Sequence, residues 1–232
     1  MAFGKWFISH LAPDWVLAQS RRTVEEMTAC GCRAGFLPPA VDTQRFRPAL
    51  PAEKIVLRCK YGIPVGVTVV THVGHLKGKR NLAHLLTVQK TGCYHTLVVT
   101  STSTEQDKDL KKLLCNAGGT VIDKYITNIE DIYRLSDVYL FLAEEETAAI
   151  EIPLSVLEAM SCNLPVITTP FGGLPDFFSE GKGLLYWRGE TAIVDLINAA
   201  LSMPSATREL VESYTWAAAA QALVGLLQAK DG

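Results

Sequence analysis

The sequence predicts an α/β fold, an open, doubly wound parallel sheet preceded by a short βαβ unit. From about residue 64 onward, short β-branched runs alternate with longer amphipathic stretches, as in successive βαβ units. The β-branched runs are almost entirely apolar, which is typical of strands buried on both faces of a parallel sheet. The chain has 232 residues, of which 48% are hydrophobic and 20% charged, so it has enough apolar surface to form a folded core.

Six strands and five helices are expected to alternate in this part of the chain. The predicted strands are Val67 to Val73, Thr96 to Thr100, Thr120 to Asp123, Val138 to Leu142, Pro165 to Thr168 and Gly183 to Trp187. The predicted helices are Leu82 to Gln89, Gln106 to Cys115, Ile129 to Leu135, Leu154 to Cys162 and Ala192 to Leu201. Ligands of such sheets bind beyond the carboxyl ends of the strands, so the loops after Val73, Leu142 and Thr168 are expected to carry the chemistry.

The first 50 residues have a different organisation. A strand at Trp15 to Gln19, a helix at Arg21 to Cys30 and a second strand at Gly35 to Pro39 would form one βαβ unit. The prolines of Pro38-Pro39 and of Arg47 to Pro51 then break regular structure and mark a hinge. We therefore expect two parts, residues 1–50 and residues 51–232. The first is too small to fold alone and is expected to pack on the larger domain, on a partner chain or on something that is missing.

Composition excludes several classes of protein. With 22 Lys and Arg against 24 Asp and Glu, the net charge of −2 disfavours nucleic-acid binding. No apolar run reaches the ~18 residues of a spanning helix, and the N-terminus lacks the apolar core of a signal peptide. The six cysteines have neither zinc-finger nor redox spacing. A cytoplasmic protein with reduced thiols is expected, and any membrane association would be peripheral.

The loop Gly74 to Asn81 is suited to binding phosphate. It follows the first long strand, begins a helix and combines glycines with Lys77, Lys79 and Arg80, beside His75. Glycine lets the backbone approach a ligand, helix amides bind anions, and the cations neutralise charge. The spacing matches neither a Walker loop nor a dinucleotide fingerprint. A solvated basic turn that caps the helix is the alternative.

A second candidate group lies at Glu144 to Met160. Pro153 suits the first turn of a helix, so the helix is expected to begin near Leu154. The free amides of Leu154 and Ser155 would then face a ligand beyond the sheet, and Glu158 would project from the next turn to accept from ribose hydroxyls. Alternatively, Glu158 pairs with a nearby cation. The Gly172-Gly173 loop that follows a buried strand is by itself a weak signal of a ligand loop.

Together these motifs resemble the C-terminal, donor-binding half of retaining GT-B glycosyltransferases of group 1, family 4 type. The resemblance covers roughly residues 14 to 220 and implies a Rossmann-like domain that binds a nucleotide-diphosphate sugar. The segments that carry it, in the family's order, are Pro39 to Pro48, Lys60 to Pro64, Ile129 to Asp137, Val156 to Pro165 and Gly172 to Pro175. A helix at Trp216 to Gln228 would correspond to the one that crosses back to the family's first domain.

The resemblance also implies roles for single residues. The basic pair that grips the donor diphosphate would be His75 and Arg80. The family's two glutamates, eight positions apart, would fall on Ile150 and Glu158, so Glu151, one place further along, is the nearest candidate for the first carboxylate. Arg80 and Glu151 are thus the candidate catalytic residues.

The implied reaction is transfer with retention, without a metal or other cofactor. A nucleoside diphosphate departs while positive charge builds on the sugar ring. Arg80, Lys79 or Lys77, and the amides of Leu154 and Ser155 would stabilise the leaving group electrostatically. The acceptor would be a sugar, a lipid-linked sugar or a protein.

Three readings of the whole chain stay open. The first is a glycosyltransferase. Only the last βαβ of the family's acceptor-binding domain precedes the hinge, so this enzyme would be truncated, or would need a homo-oligomer or a separate N-terminal-domain partner. The second reading is a non-catalytic nucleotide-sugar-binding or partner subunit, which Ile150 favours. A nucleotide-sugar epimerase of similar fold is the third.

Overall fold

The computed structural model describes residues 13, 15–76, 81–100, 106–145 and 149–228. Helices and strands alternate through almost all of this length. In chain order they are β1 (Val16–Ala18), α1 (Arg21–Ala29), β2 (Ala34–Phe36), α2 (Pro51–Tyr61), β3 (Thr68–Gly74), α3 (Ala83–Lys90), β4 (Tyr94–Thr100), α4 (Lys108–Asn116), β5 (Thr120–Ile122), α5 (Glu130–Leu135), β6 (Val138–Phe141), α6 (Leu154–Ser161), β7 (Val166–Thr168), α7 (Leu174–Phe177), β8 (Leu184–Tyr186), α8 (Ile193–Ser202), α9 (Thr207–Val211) and α10 (Trp216–Gln228).

The main sheet has six parallel strands in the order β5-β4-β3-β6-β7-β8. The strand order runs outward in both directions from the adjacent pair β3 and β6, so the sheet is doubly wound, which confirms the predicted fold class. Thr100 lies opposite Gly74, so β3 and β4 end at the same level. The crevice between β3 and β6, where the strand order reverses, is the place where open sheets of this kind bind ligands.

Side chains from both faces of the sheet are buried. Val70, Val98 and Leu140 contribute to one core cluster, with side chains of α3, α4 and α8. Their neighbours on the opposite face pack against α2, α5 and α6, and examples are Val69, Leu97 and Tyr139. Because successive side chains of a strand point to opposite faces, this burial explains why the strands are apolar at almost every position.

Helix α2 fills a stretch for which no element was predicted. Pro51 opens it, Glu53 accepts from the Leu50 amide, and Gly62 ends it with a φ of 67°. Its burial follows its hydropathy poorly, since Leu57 and Arg58 are its buried residues whereas Ile55 and Val56 are exposed at 50% and 66%. The periodicity of the apolar residues therefore gave no sign of the helix.

Arg58 is buried because it is paired with Asp137. The Arg58 Nη2 donates to Asp137 Oδ2 at 2.5 Å, and Lys54 donates to the other oxygen at 2.6 Å. Asp137 also accepts from the Val69 amide at 2.7 Å. This network fastens α2 to the start of β3 and to the turn before β6.

Strands β1 and β2 form a separate two-stranded parallel sheet, which together with α1 is called the N-terminal unit below. The predicted βαβ unit is thus present, with strands shorter than expected. It packs on the larger domain, where Phe36 stacks on Phe177 with ring centroids 5.0 Å apart. The linker that follows is tied to the turn between α9 and α10, since the Val41 amide donates to the Tyr214 carbonyl at 2.9 Å. The division at residue 50 stays a prediction.

Within the described residues, no helix combines the length and the apolar character that a membrane crossing requires. All six cysteines are free thiols.

Candidate functional site

A cavity of about 290 Å³ lies at the carboxyl ends of β3 and β6, where the strand order reverses. Strand β3, strand β6 and the start of α6 each contribute to it. We call it the switch-point cavity, and its lining residues are Val73, Gly74, His75, Phe141, Ala149, Ile150, Pro153, Leu154 and Ser155. Four residues of the predicted site therefore lie together, namely Gly74, His75, Leu154 and Ser155.

The start of α6 supplies hydrogen-bond donors to this cavity. Pro153 is the N-cap in an extended conformation, and Leu154 opens the helix as predicted. The Val156 amide donates to the Pro153 carbonyl at 3.0 Å. Within the described part of the chain, the Leu154 and Ser155 amides have no protein acceptor. Free amides at a helix N-terminus favour an anion, because the helix dipole adds to their partial positive charge.

The loop after β3 is described only in part. Gly74 has a φ of 151°, which residues with a side chain rarely adopt, and its backbone borders the cavity. His75 follows it in the lining. Lys77, Lys79 and Arg80 lie outside the described residues, so their predicted contacts with a phosphate stay predictions.

A second cavity, of about 390 Å³, adjoins the first and shares Val73 and Gly74 with it. It lies beyond the ends of β4 and β5, and we call it the β5 cavity. Apolar side chains, two threonines and two cations surround it, and the full lining is Arg45, Val73, Gly74, Val99, Thr100, Lys124, Tyr125, Ile126, Thr127 and Ile129. The two cavities are neighbours along the sheet edge, and the α6 amides lie at the switch-point cavity.

Arg45 is a lining residue that the sequence did not indicate. Its guanidinium pairs with Glu130 at 2.8 Å and donates to the Thr127 carbonyl at 3.2 Å. The linker segment that carries Arg45 is part of the family resemblance, but nothing local marks this arginine as different from its neighbour Arg47. Its place at the cavity depends on how the linker packs against α5.

Glu158 lies one turn deeper in α6 and is half-buried. It lines neither cavity, and its Oε2 accepts from the Tyr133 hydroxyl at 2.6 Å. Burial raises the pKa of the Glu158 carboxyl, whereas the Tyr133 bond and the charge of Arg45 lower it. Because Arg45 lines the β5 cavity, the Glu158 carboxylate interacts electrostatically with one wall of that cavity. The alternative that Glu158 pairs directly with a cation is not observed among the described residues, and the predicted ribose contact stays a prediction.

Glu151 faces a different cavity, of about 500 Å³, between the N-terminal unit and the loops after β6 and β7. We call it the N-terminal cavity. Ser20 donates to Glu151 Oε1 at 2.7 Å, and the Thr23 hydroxyl donates to the same oxygen. The carboxylate therefore links the N-terminal unit to the segment before α6. The catalytic role expected for Glu151 stays a prediction, and the position one place earlier, Ile150, is the one that lines the switch-point cavity.

The Gly172-Gly173 loop packs against both the Glu151 backbone and the N-terminal unit. The Gly173 amide donates to the Glu151 carbonyl at 2.9 Å. A Cβ on Gly173 would lie 3.1 Å from the Gln19 carbonyl oxygen, so the loop touches the N-terminal unit directly. The two glycines therefore serve close packing of backbone on backbone, and α7 begins just after them.

We expect Glu151→Ala to lower the free energy of unfolding by about 2 kcal/mol, because two hydroxyls lose their bonds to a carboxylate. Glu151→Gln keeps a carbonyl acceptor and is expected to lose about half as much. Urea unfolding measures both. Glu144→Ala is the matched control, since Glu144 lines the same cavity but is exposed and accepts no hydrogen bond from the described side chains. Equal losses for Glu144→Ala and Glu151→Ala would show that the link contributes nothing.

Two enzymes of known activity are similar to most of the chain. It is 27% identical over 227 residues to the sulfoquinovosyl transferase SQD2 of Arabidopsis thaliana, covering 90% of this chain and 43% of that protein. It is 26% identical over 220 residues to the GDP-mannose-dependent alpha-(1-6)-phosphatidylinositol monomannoside mannosyltransferase of Mycobacterium tuberculosis, covering 84% and 56%. The chain thus spans about half the length of these relatives.

A solved structure shows the same fold. HepE of Anabaena, determined in complex with UDP and glucose, matches 98% of this chain and 66% of its own, with a TM-score of 0.79 at 17% identity. The family described as glycosyl transferases group 1 matches residues 54–217, which is more than half of the chain. From these matches and the doubly wound sheet, we conclude that the chain belongs to the group 1 glycosyl transferases.

Proposed function

We propose that this chain carries the donor site of a retaining glycosyltransferase and binds a nucleotide-diphosphate sugar in the crevice formed by the switch-point and β5 cavities. The proposal rests on one observation. Leu154 and Ser155, at the start of α6, line a cavity at the point where the strand order reverses, and their amides have no acceptor among the described residues. An anion of high charge is the ligand that such a site favours. The GDP-mannose dependence of one relative and the UDP complex of HepE support a nucleoside diphosphate.

The proposed arrangement divides the donor between the two cavities. The diphosphate lies at the α6 amides beside Gly74 and His75, with Lys77, Lys79 and Arg80 supplying positive charge. The nucleoside extends into the β5 cavity, whose apolar side chains suit the faces of a base and whose neighbour Glu158 accepts from the ribose. The sugar lies toward Ile150.

In the proposed reaction the sugar–phosphate bond breaks as the acceptor attacks, and the nucleoside diphosphate takes the bonding electrons. Negative charge therefore grows on the oxygen that leaves. The α6 amides are held by the helix before the reaction begins, so they stabilise this charge without having to reorganise. We propose no metal or other cofactor for the reaction.

A thermal-shift screen with UDP, GDP, ADP and their sugars tests the proposal. At a ligand concentration of about 100 times Kd, binding adds about 2.7 kcal/mol to the unfolding free energy, which raises the Tm of a chain this long by about 5–10 °C. We expect such a rise for at least one of these ligands. A wild-type chain whose Tm responds to none of them would contradict the proposal.

Variants then locate the site. We expect Arg80→Ala and Glu158→Ala to remove most of the Tm response. Lys90→Ala is the matched control, because it removes one exposed cation at the far end of α3 and should respond like the wild type. A full response from Arg80→Ala would refute the phosphate role of that residue.

One observation favours a second candidate function, a nucleotide-sugar-binding subunit without activity. The exposed side chain at the sugar end of the cavity is Ile150, which offers no hydrogen bond to a sugar hydroxyl. Sugar transfer or donor hydrolysis by the purified chain would rule this out. Binding without either reaction would favour it.

A further inference from the structure

Tyr133 is a buried tyrosine whose hydroxyl is committed to one carboxylate oxygen. It lies on α5, has no exposed surface, and donates to Glu158 Oε2 at 2.6 Å. The rings of Phe46 and Tyr139 pack on it, each with its centroid 5.7 Å away. Because the ring is enclosed by aromatic side chains, the phenol has one position, and it holds Glu158 in one orientation.

The other carboxylate oxygen of Glu158, Oε1, takes no hydrogen bond within the part of the chain that the structure describes. The charged and titratable groups near the carboxyl are Arg45, Glu130, Tyr133 and Cys162. Burial raises the pKa of the Cys162 thiol to about 12, so it is neutral. Arg45 is engaged by Glu130, and among the described side chains Tyr133 is the one that bonds Glu158 directly.

We propose that Tyr133 is a positioning residue, which fixes the Glu158 carboxylate so that its Oε1 reads the hydroxyls of the ribose. The inference rests on the proposed function, because it takes Glu158 as part of the nucleoside diphosphate site. Tyr133 itself touches no ligand. The hydroxyl of Tyr133 is expected to affect the binding only of ligands that carry ribose hydroxyls. A tyrosine with a purely structural role would affect the binding of all nucleotides alike.

Tyr133→Phe tests the inference, because it removes the hydroxyl and keeps the ring. Calorimetry compares UDP with 2′,3′-dideoxy-UDP, or GDP with its dideoxy analogue if GDP binds more tightly. A hydrogen bond to a charged group accounts for about tenfold in affinity or more. We expect the wild type to prefer UDP, and Tyr133→Phe to lose about tenfold for UDP and little for the analogue.

The pH dependence of that preference gives an independent readout. The Tyr133 bond lowers the pKa of Glu158, so its loss raises that pKa. The ribose preference requires the carboxylate, so on acidification it is expected to disappear at a higher pH in Tyr133→Phe than in the wild type. UDP and its dideoxy analogue carry the same phosphates. Titration of the diphosphate therefore changes both affinities equally, and the ratio of the two affinities does not depend on it.

Tyr186→Phe is the matched control. It removes another buried tyrosine hydroxyl. Tyr186 is the last residue of β8, and its hydroxyl donates to the Phe178 carbonyl at 2.7 Å. This variant is expected to keep the wild-type preference at every pH. Preference and pH profile in Tyr133→Phe that match those of Tyr186→Phe would overturn the inference.

A measurement on the wild type keeps the inference testable if Tyr133→Phe fails to fold. In NMR of the ¹³C-labelled tyrosines, the Tyr133 signal is expected to shift with UDP and to move less with the dideoxy analogue. Equal shifts would overturn the inference. A wild type that binds none of UDP, GDP, ADP and their sugars would instead refute the proposed function, and the two failures are therefore distinguishable.

Discussion

Gly172→Ala is expected to lower the free energy of unfolding by about 4 kcal/mol. A Cβ at this position would lie 2.1 Å from the Glu151 carbonyl oxygen, and the backbone has a φ of 53°. The left-handed conformation costs an alanine about 1–2 kcal/mol, and forcing backbone apart adds about 1–3 kcal/mol. Because the clash is with main chain, no rotamer change relieves it. Urea unfolding measures the loss.

Gly189→Ala separates the two contributions. Gly189 has a φ of 88°, and nothing lies within 4 Å of its would-be Cβ, so this variant carries the conformational cost alone. We expect a loss of about 1–2 kcal/mol for Gly189→Ala. If both variants lose the same amount, the close approach between Gly172 and Glu151 is not a real constraint. If Gly172→Ala alone loses much more, the junction beside the N-terminal cavity is tightly packed as described.

Asp137→Ala is expected to cost about 3–5 kcal/mol, because it leaves the buried Arg58 guanidinium without its charge partner. Arg58 has a side-chain exposure of 8%, against 22% for Asp137, so the guanidinium is the more buried partner of the pair. The variant also takes one partner from Lys54 and one from the Val69 amide. Calorimetric or urea unfolding gives the value.

Asp123→Ala is the matched control for this prediction. Asp123 pairs with Lys111 at the surface, with side-chain exposures of 46% and 33%, and solvent screening leaves such a pair with less than about 1 kcal/mol. A small loss in both variants would show that the ion pair of α2 is as weak as a surface pair.

The main sheet was predictable because both of its faces are covered. Burial on two faces makes a strand apolar at most of its positions, and Val138–Phe141 is an example in which each residue is buried. Helix α2 was not predictable from periodicity, because a cation, Arg58, is buried in it beside Leu57, whereas Ile55 and Val56 are exposed. Only the partner Asp137, distant along the chain, makes that pattern stable.

The candidate site was predictable where it depends on local chain geometry. Gly74 and His75 end a strand, Leu154 and Ser155 begin a helix, and parallel strands bring both to one edge. Arg45, Tyr133 and the link from Glu151 to Ser20 depend on tertiary packing between distant segments. No local pattern marks such residues, because their partners lie in segments that are distant along the chain.

One measurement tests directly whether the diphosphate binds the start of α6. Leu154→Pro removes a single amide hydrogen at the first helical position, where proline is tolerated. Pro153 before it has a ψ of 118°, the extended conformation that a following proline favours. Leu154→Ala is the matched control, because it shortens the same side chain, which is 39% exposed, and keeps the amide.

Calorimetric titration with the tightest-binding nucleoside diphosphate compares these two variants with the wild type. We predict that Leu154→Ala binds within about threefold of the wild type and that Leu154→Pro binds about tenfold more weakly or worse, since it lacks a donor to a charged oxygen. Equal affinities for Leu154→Pro and Leu154→Ala, with both variants folded, would contradict the account.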